Sequence, residues 1–276
     1  MQTPKQRLVF VDNLRTLAII LVFLVHIAIT YGASGLWYYK EGQLTGPQYY
    51  VFLAFNCLCQ AFFMGLLFLL AGYFTPSSYD RKGPGQFVLD RLTRLWLPVG
   101  VFIFLIDPFM QYTLISAGVL PSPSGLPMTM QAFLGLFTNP LTGLGFGPLW
   151  FIEALFFFIL IYTGWRLVSK SPIKIRSFPS NLTIALLAIT LGAVSFLMRI
   201  WLPIGYVLNP FGFQLPFFPQ YIAFFIVGVI AFRGNWLLMV TAKTGMFWLR
   251  LAAILIIVFL ALLSFSAVTG TVNLLF

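Results

Sequence analysis

Residues 13–33, NLRTLAIILVFLVHIAITYGA, form an apolar run broken by two basic groups, Arg15 and His26. At about 1.5 Å per residue, a helix of this length crosses the roughly 30 Å hydrocarbon core of a bilayer. Eleven residues at about 100° each bring Arg15 and His26 within roughly 20° of three full turns, so the two share one helix face, about 16 Å apart along the axis. Ile19 and Val22 lie between them on that stripe. With Arg15 at the membrane edge, His26 is expected near mid-membrane, where an ionisable side chain is costly and points to function. The plainer reading of this single histidine is a hydrogen-bonded core residue.

Composition sets the class. Of the 276 residues, 60% are hydrophobic and only 8% charged, with a mean hydropathy of +0.96, which excludes a soluble globule. The predicted fold is all-α, a polytopic transmembrane bundle with spans near 13–33, 50–75, 95–117, 147–168, 181–203, 217–234 and 247–268. The first span has no cleavage signal behind it and reads as retained. No internal repeat or appended soluble domain is evident, so residues 1–276 read as one domain.

The net charge of +10 does not imply nucleic acid. Lys5, Arg7 and Arg15 precede or open the first span, and Arg81, Lys82, Arg91 and Arg94 follow the second. Arg166, Lys170, Lys174 and Arg176 follow the fourth, and Arg233, Lys243 and Arg250 the sixth. Only Lys40 and Arg199 fall elsewhere. Alternate loops are thus basic, which the positive-inside rule reads as a cytoplasmic N-terminus in an integral membrane protein. The segment TPSSYDRKGPGQFVLDRLTRLWLP, residues 75–98, reads as a loop with turn signals at Pro76, Gly83, Pro84 and Gly85 and a helical restart at Gln86. MTMQAFLGLF, residues 128–137, reads as a short interfacial helix within a long outer loop.

Other polar residues in the apolar runs each have a structural alternative. Asp107 precedes Pro108, which frees a helical carbonyl and makes a polar notch. Arg199 is near a span end and can snorkel. Glu153 sits in the first turns of its span, where it serves either function or an ion pair with Arg199. Arg91 and Arg94 lie one turn apart on one face, a spacing that suits phosphate binding or simple positive-inside anchoring. Cys57 and Cys59 point in different directions on a helix and read as small hydrophobes. Trp37, Trp96, Trp165 and Trp236 near span ends read as an interfacial belt. One histidine with scattered carboxylates gives no metal cluster, and none is expected.

Four stretches resemble the membrane acyltransferase 3 family. RLVFVDNLRTLAIILVFLVH, residues 7–26, carries an R-x10-H pattern. FFMGLLFLLAGYF at 62–74, RLTRLWLP at 91–98 and GPLWFIEALFFFILIY at 147–162 follow in the family's order. The resemblance runs from Arg7 to about Arg233.

It implies an integral membrane enzyme of a bacterial inner or plasma membrane that moves an acyl group, usually acetyl, from cytoplasmic acyl-CoA to a hydroxyl of an envelope glycan or lipid-linked acceptor. Acyl-CoA is then a co-substrate, with no bound cofactor. By position, His26 is the general base, which requires a largely neutral imidazole. Arg15 holds the donor, and Arg91 and Arg94 bind CoA phosphates. The family commonly has ten or so spans, so the chain reads as lacking the last helices. No defined role passes to Glu153 or Asp107.

Two readings from other classes stand beside this one. Asp107, Glu153, Arg199 and His26 line a pathway in a transporter or flippase without covalent chemistry. A structural or regulatory membrane subunit without activity is the third reading.

Overall fold

The computed structural model describes residues 8–35, 37–120, 147–169, 177–208 and 211–269. MTMQAFLGLF lies outside the described residues, as do Lys5, Arg7, Lys170, Lys174 and Arg176. The chain is helical: α1 Val9–Thr30, α2 Gly46–Lys82, α3 Pro84–Val101, α4 Asp107–Ser116, α5 Trp150–Val168, α6 Asn181–Trp201, α7 Phe218–Gly234 and α8 Ala242–Thr269. Among the described residues, seven helical segments are long and apolar enough to cross a membrane, in the order the hydropathy predicts.

The expected loop at 75–98 is corrected in part. α2 continues through Pro76 to Lys82, and the chain turns on Gly83 alone, whose φ of 73° is the left-handed conformation glycine adopts without cost. α3 then starts at Pro84, where the missing N–H has no helical partner to lose. Pro76 is tolerated inside α2 because it is fully buried, and helices packed around a proline support it as they do in membrane spans. A π-helical turn, Phe102–Ile106, joins α3 to α4 and ends at the buried Asp107–Pro108 pair. Widening the ladder to i→i+5 is how a helix absorbs a local misfit, so the predicted notch takes this form.

The helices divide into two compact units. The first comprises residues up to Pro76, Ile173–Ile200 and Pro219–Phe276. In it α1 buries Val11, Ala18, Val25, Ala28 and Ile29, a stripe at near-heptad spacing. α2 and α7 approach until their backbones touch. A Cβ at Gly72 would fall on the Phe225 carbonyl, and one at Gly228 on the Leu69 carbonyl. Small residues at a crossing are how helices in lipid gain packing energy without a hydrophobic driving force. On either side of that crossing Tyr221 stacks on Phe68 at 4.8 Å and Tyr73 meets Phe232 edge-on at 5.5 Å.

α6 buries none of its side chains, and α8 buries only Leu263 and Ser266. A helix apolar all round and uncovered by protein is at home in hydrocarbon. The two are tied where Trp248 donates to Asn181 Oδ1 at 3.1 Å.

The second unit comprises Ser77–Pro172 and Trp201–Phe218. Its core is aromatic, with Trp96 of α3 edge-on to Phe156 of α5 at 5.7 Å and Tyr79 edge-on to both Phe87 and Tyr162 at 5.6 Å. A bridge between Leu208 and Phe213 presents Phe213 to Phe157 and Phe218.

Candidate functional site

In the first unit Arg15 and His26 occupy the same flank of α1, beside its buried stripe, as their spacing predicts. α1 ends at Thr30, one turn beyond His26, so the imidazole sits toward the end of the helix and not at its middle. The cause is the chain reversal that follows, where the Gly32 backbone takes φ 103° and the Ala33 N–H returns to the Ala28 carbonyl at 3.0 Å.

The imidazole is held by its own helix. His26 Nδ1 lies 2.7 Å from the Val22 carbonyl oxygen. A carbonyl only accepts, so Nδ1 carries the proton and, in the neutral ring, Nε2 carries the free lone pair. Trp37 packs on the ring at 4.3 Å between centroids, tilted by 49°. Among the described residues no carboxylate ion-pairs with the imidazole. Its orientation thus comes from a backbone carbonyl and an indole. Trp37, expected only as part of an interfacial belt, is a direct neighbour of the candidate base. No periodicity marks that contact, because it depends on the path of a loop.

Arg15 lies about 16 Å away toward the start of α1. Its guanidinium is exposed and stands over the Phe74 ring at 5.0 Å.

The second unit holds the other basic candidates. Arg91 and Arg94 are one turn apart on α3, but their environments differ. Arg91 is half-buried, with its guanidinium 5.5 Å from the Phe87 ring centre. Arg94 is 71% exposed, and its Nε bonds Asp90 Oδ1 at 3.0 Å. Asp90 also holds Lys82 at 2.8 Å. The Asp90–Arg94 spacing of four residues is legible in the sequence as a helical ion pair. Arg166, expected only as loop charge, is instead folded inward. Its Nη2 lies 3.3 Å from Asp80 Oδ1, its guanidinium covers the Tyr79 ring at 5.2 Å, and its side chain is 11% exposed.

Two carboxylates of the second unit, Asp107 and Glu153, are buried. Asp107 is 1% exposed and its Oδ2 accepts from Gln111 Nε2 at 2.8 Å, which gives the notch a side-chain lock. Glu153 is 2% exposed in the first turn of α5, and its Oε2 has no hydrogen-bond partner among the described residues. Arg199 is exposed near the end of α6, as a snorkelling residue is. It belongs to the first unit and Glu153 to the second. Cys57 and Cys59 are free thiols, the first half-buried and the second buried.

The family model described as an acyltransferase domain matches residues 8–276. No curated protein and no solved structure matches the chain.

Proposed function

The chain belongs to the membrane acyltransferase 3 family and is an acyltransferase of the membrane, and we propose that it carries an acyl group, acetyl in the simplest case, from cytoplasmic acyl-CoA to a hydroxyl of a cell-envelope carbohydrate or related acceptor. His26 is the general base of this scheme. The observation that carries the reading is the Nδ1 bond to the Val22 carbonyl at 2.7 Å, because it assigns the basic lone pair to Nε2.

In the reaction the acceptor oxygen attacks the thioester carbonyl carbon while Nε2 takes the hydroxyl proton. The tetrahedral intermediate collapses with cleavage of the carbon–sulfur bond, and the imidazolium returns the proton to the departing CoA thiolate. An ester and free CoA result, with His26 restored. Base assistance of this kind contributes about 10²- to 10⁴-fold in rate. Arg15, on the same flank of α1, serves the donor, and Arg91 and Arg94 serve its phosphates. A guanidinium suits that role because it binds phosphate bidentately. Acyl-CoA acts as a co-substrate that leaves as CoA.

The test is transfer of label from [¹⁴C]acetyl-CoA to hydroxyl acceptors by the full chain in lipid nanodiscs. Transfer lost in His26→Ala, with the protein still folded, is the expected result. A transporter drawing on the buried Asp107 and Glu153 would move substrate and leave acetyl-CoA intact, and that outcome overturns the proposal.

A further inference from the structure

The segment between α1 and α2 folds back on the end of α1 that carries His26. Its backbone is tied at separate points. The Glu41 N–H donates to the Thr30 carbonyl at 2.8 Å, and the Asn56 side-chain amide of α2 donates to the Ser34 carbonyl at 3.0 Å. Gly35 passes directly over Ile29, where a Cβ would strike that side chain. Thr30 is one helical turn beyond His26, and its hydroxyl donates to the His26 carbonyl at 2.9 Å. The strap is therefore pinned at Ser34 and at Glu41, the second pin one helical turn beyond His26.

Between the pins the strap presents Trp37, Tyr38, Tyr39, Lys40 and Glu41 in succession. Trp37 lies against the imidazole at 4.3 Å, and Tyr38 meets Trp37 edge-on at 5.3 Å. The Tyr39 hydroxyl donates to Glu41 Oε2 at 2.5 Å. Trp37 and Tyr38 are half-buried and Tyr39 and Glu41 exposed, so the strap keeps accessible faces beside the candidate base. The Glu41 carboxylate, by accepting that bond, raises the Tyr39 pKa, which keeps the phenol protonated as a donor.

A tryptophan serving only as an interfacial anchor has no need of a histidine under its ring. Aromatic faces carry negative quadrupole charge and attract polarised C–H groups, of which a sugar ring has a whole face. A carboxylate and a phenol beside them supply acceptors and a donor for ring hydroxyls. Such a mixture of rigid rings and a few polar groups is what a site for a small polyhydroxylated ligand requires.

We propose that the strap Trp37–Glu41 is the acceptor subsite and that it takes a sugar ring, presenting one ring hydroxyl to His26 Nε2. This rests on the reading of His26 as the general base.

The experiment measures transfer from [¹⁴C]acetyl-CoA by the full chain in nanodiscs. The acceptors are methyl glycosides of glucose, galactose and N-acetylglucosamine, with glycerol as the acyclic control. Wild-type protein is expected to prefer a glycoside over glycerol. Trp37→Ala is expected to raise the acceptor KM about tenfold or more, with Trp37→Phe restoring most of it, since a ring face remains. Glu41→Gln and Tyr39→Phe, both exposed and tolerant of substitution, are expected to raise the acceptor KM about threefold to tenfold. The KM for acetyl-CoA stays unchanged in each.

An acceptor KM unmoved by the Glu41 and Tyr39 variants overturns the subsite while His26→Ala still tests the base. A Trp37→Ala variant that loses only kcat also overturns it, reducing Trp37 to a support for the imidazole. Preference for glycerol overturns the sugar assignment. Acetyl-CoA left uncleaved with every acceptor overturns the acyl-transfer reading and the subsite with it.

Discussion

His26 Nδ1 stands 2.7 Å from the carbonyl oxygen of Val22, one turn earlier on the same helix. In many acid–base sites a carboxylate orients the imidazole and stabilises its protonated form. Here a neutral carbonyl does the orienting, and no carboxylate among the described residues ion-pairs with the ring. The bond fixes the tautomer without placing a negative charge beside the ring, and it leaves Nε2 as the atom with the free lone pair in the neutral imidazole.

His26→Asn is expected to keep the shape of α1 and lose the base. Its amide nitrogen takes the place of Nδ1 and can still donate to the Val22 carbonyl, but no atom remains to accept a proton at the Nε2 position. Transfer of label from acetyl-CoA is expected to fall by about 10²- to 10⁴-fold. The thermal unfolding midpoint should move little. Transfer near the wild-type rate would remove His26 from the chemistry.

Arg91 and Arg94 are expected to contribute unequally to the donor. Arg94 is 71% exposed and already committed to Asp90 through Nε, so its charge is screened by solvent and shared. Charge contacts at so exposed a position are weak, and Arg94→Ala is expected to raise the KM for acetyl-CoA only about twofold to fivefold. Arg91 is half-buried beside Phe87, where the lower dielectric strengthens each interaction. Arg91→Ala is expected to raise that KM about tenfold or more. Absent effects on donor KM in steady-state kinetics would return both residues to membrane anchoring, and equal effects would overturn the inequality between them.

Gly72 and Gly228 are expected to be intolerant of any side chain. At each, an added Cβ meets a backbone carbonyl of the opposite helix, which no rotamer change relieves. Gly72→Ala or Gly228→Ala is expected to cost about 1–3 kcal/mol, seen as a lower unfolding midpoint in detergent, and a bulkier residue more. Gly100 and Gly192, around which nothing lies within 4 Å of a built Cβ, are the controls that should accept alanine. Equal stability of all four variants would rule out the close crossing of α2 and α7.

The physics that made some of this legible is local, and what escaped is not. Hydropathy runs placed all seven spans, and helical periodicity put Arg15 and His26 on one face, since both depend only on neighbours in sequence. The turn expected at Pro76 is absent because a proline that stops a helix in water is tolerated where the helix is buried among others. Trp37 on His26 and Arg166 on Asp80 depend on how a loop returns or how α2 and α5 meet, and no spacing encodes either contact. Asp90 is the opposite case. Its i,i+4 relation to Arg94 is written in the sequence, since that pair depends on helical spacing alone.

The pair between Arg166 and Asp80 is expected to act as a clasp between the ends of α2 and α5. Arg166 is largely buried, with Nε and Nη1 reaching no hydrogen-bond partner among the described residues, and it covers the Tyr79 ring that also touches Phe87 and Tyr162. Removing Asp80 would leave that guanidinium buried beside the ring without its counter-charge, a state costlier than losing both groups. The Asp80 side chain is 37% exposed, so solvent takes up part of the loss, and Asp80→Ala is expected to destabilise by about 1–3 kcal/mol. Arg166→Met keeps the packing on Tyr79 and removes the charge, so adding it to Asp80→Ala is expected to recover part of that loss. Unfolding midpoints of the two single variants and the double variant decide the matter. Simple additivity would mean that the two groups act independently and that α2 and α5 are held by their aromatic contacts alone.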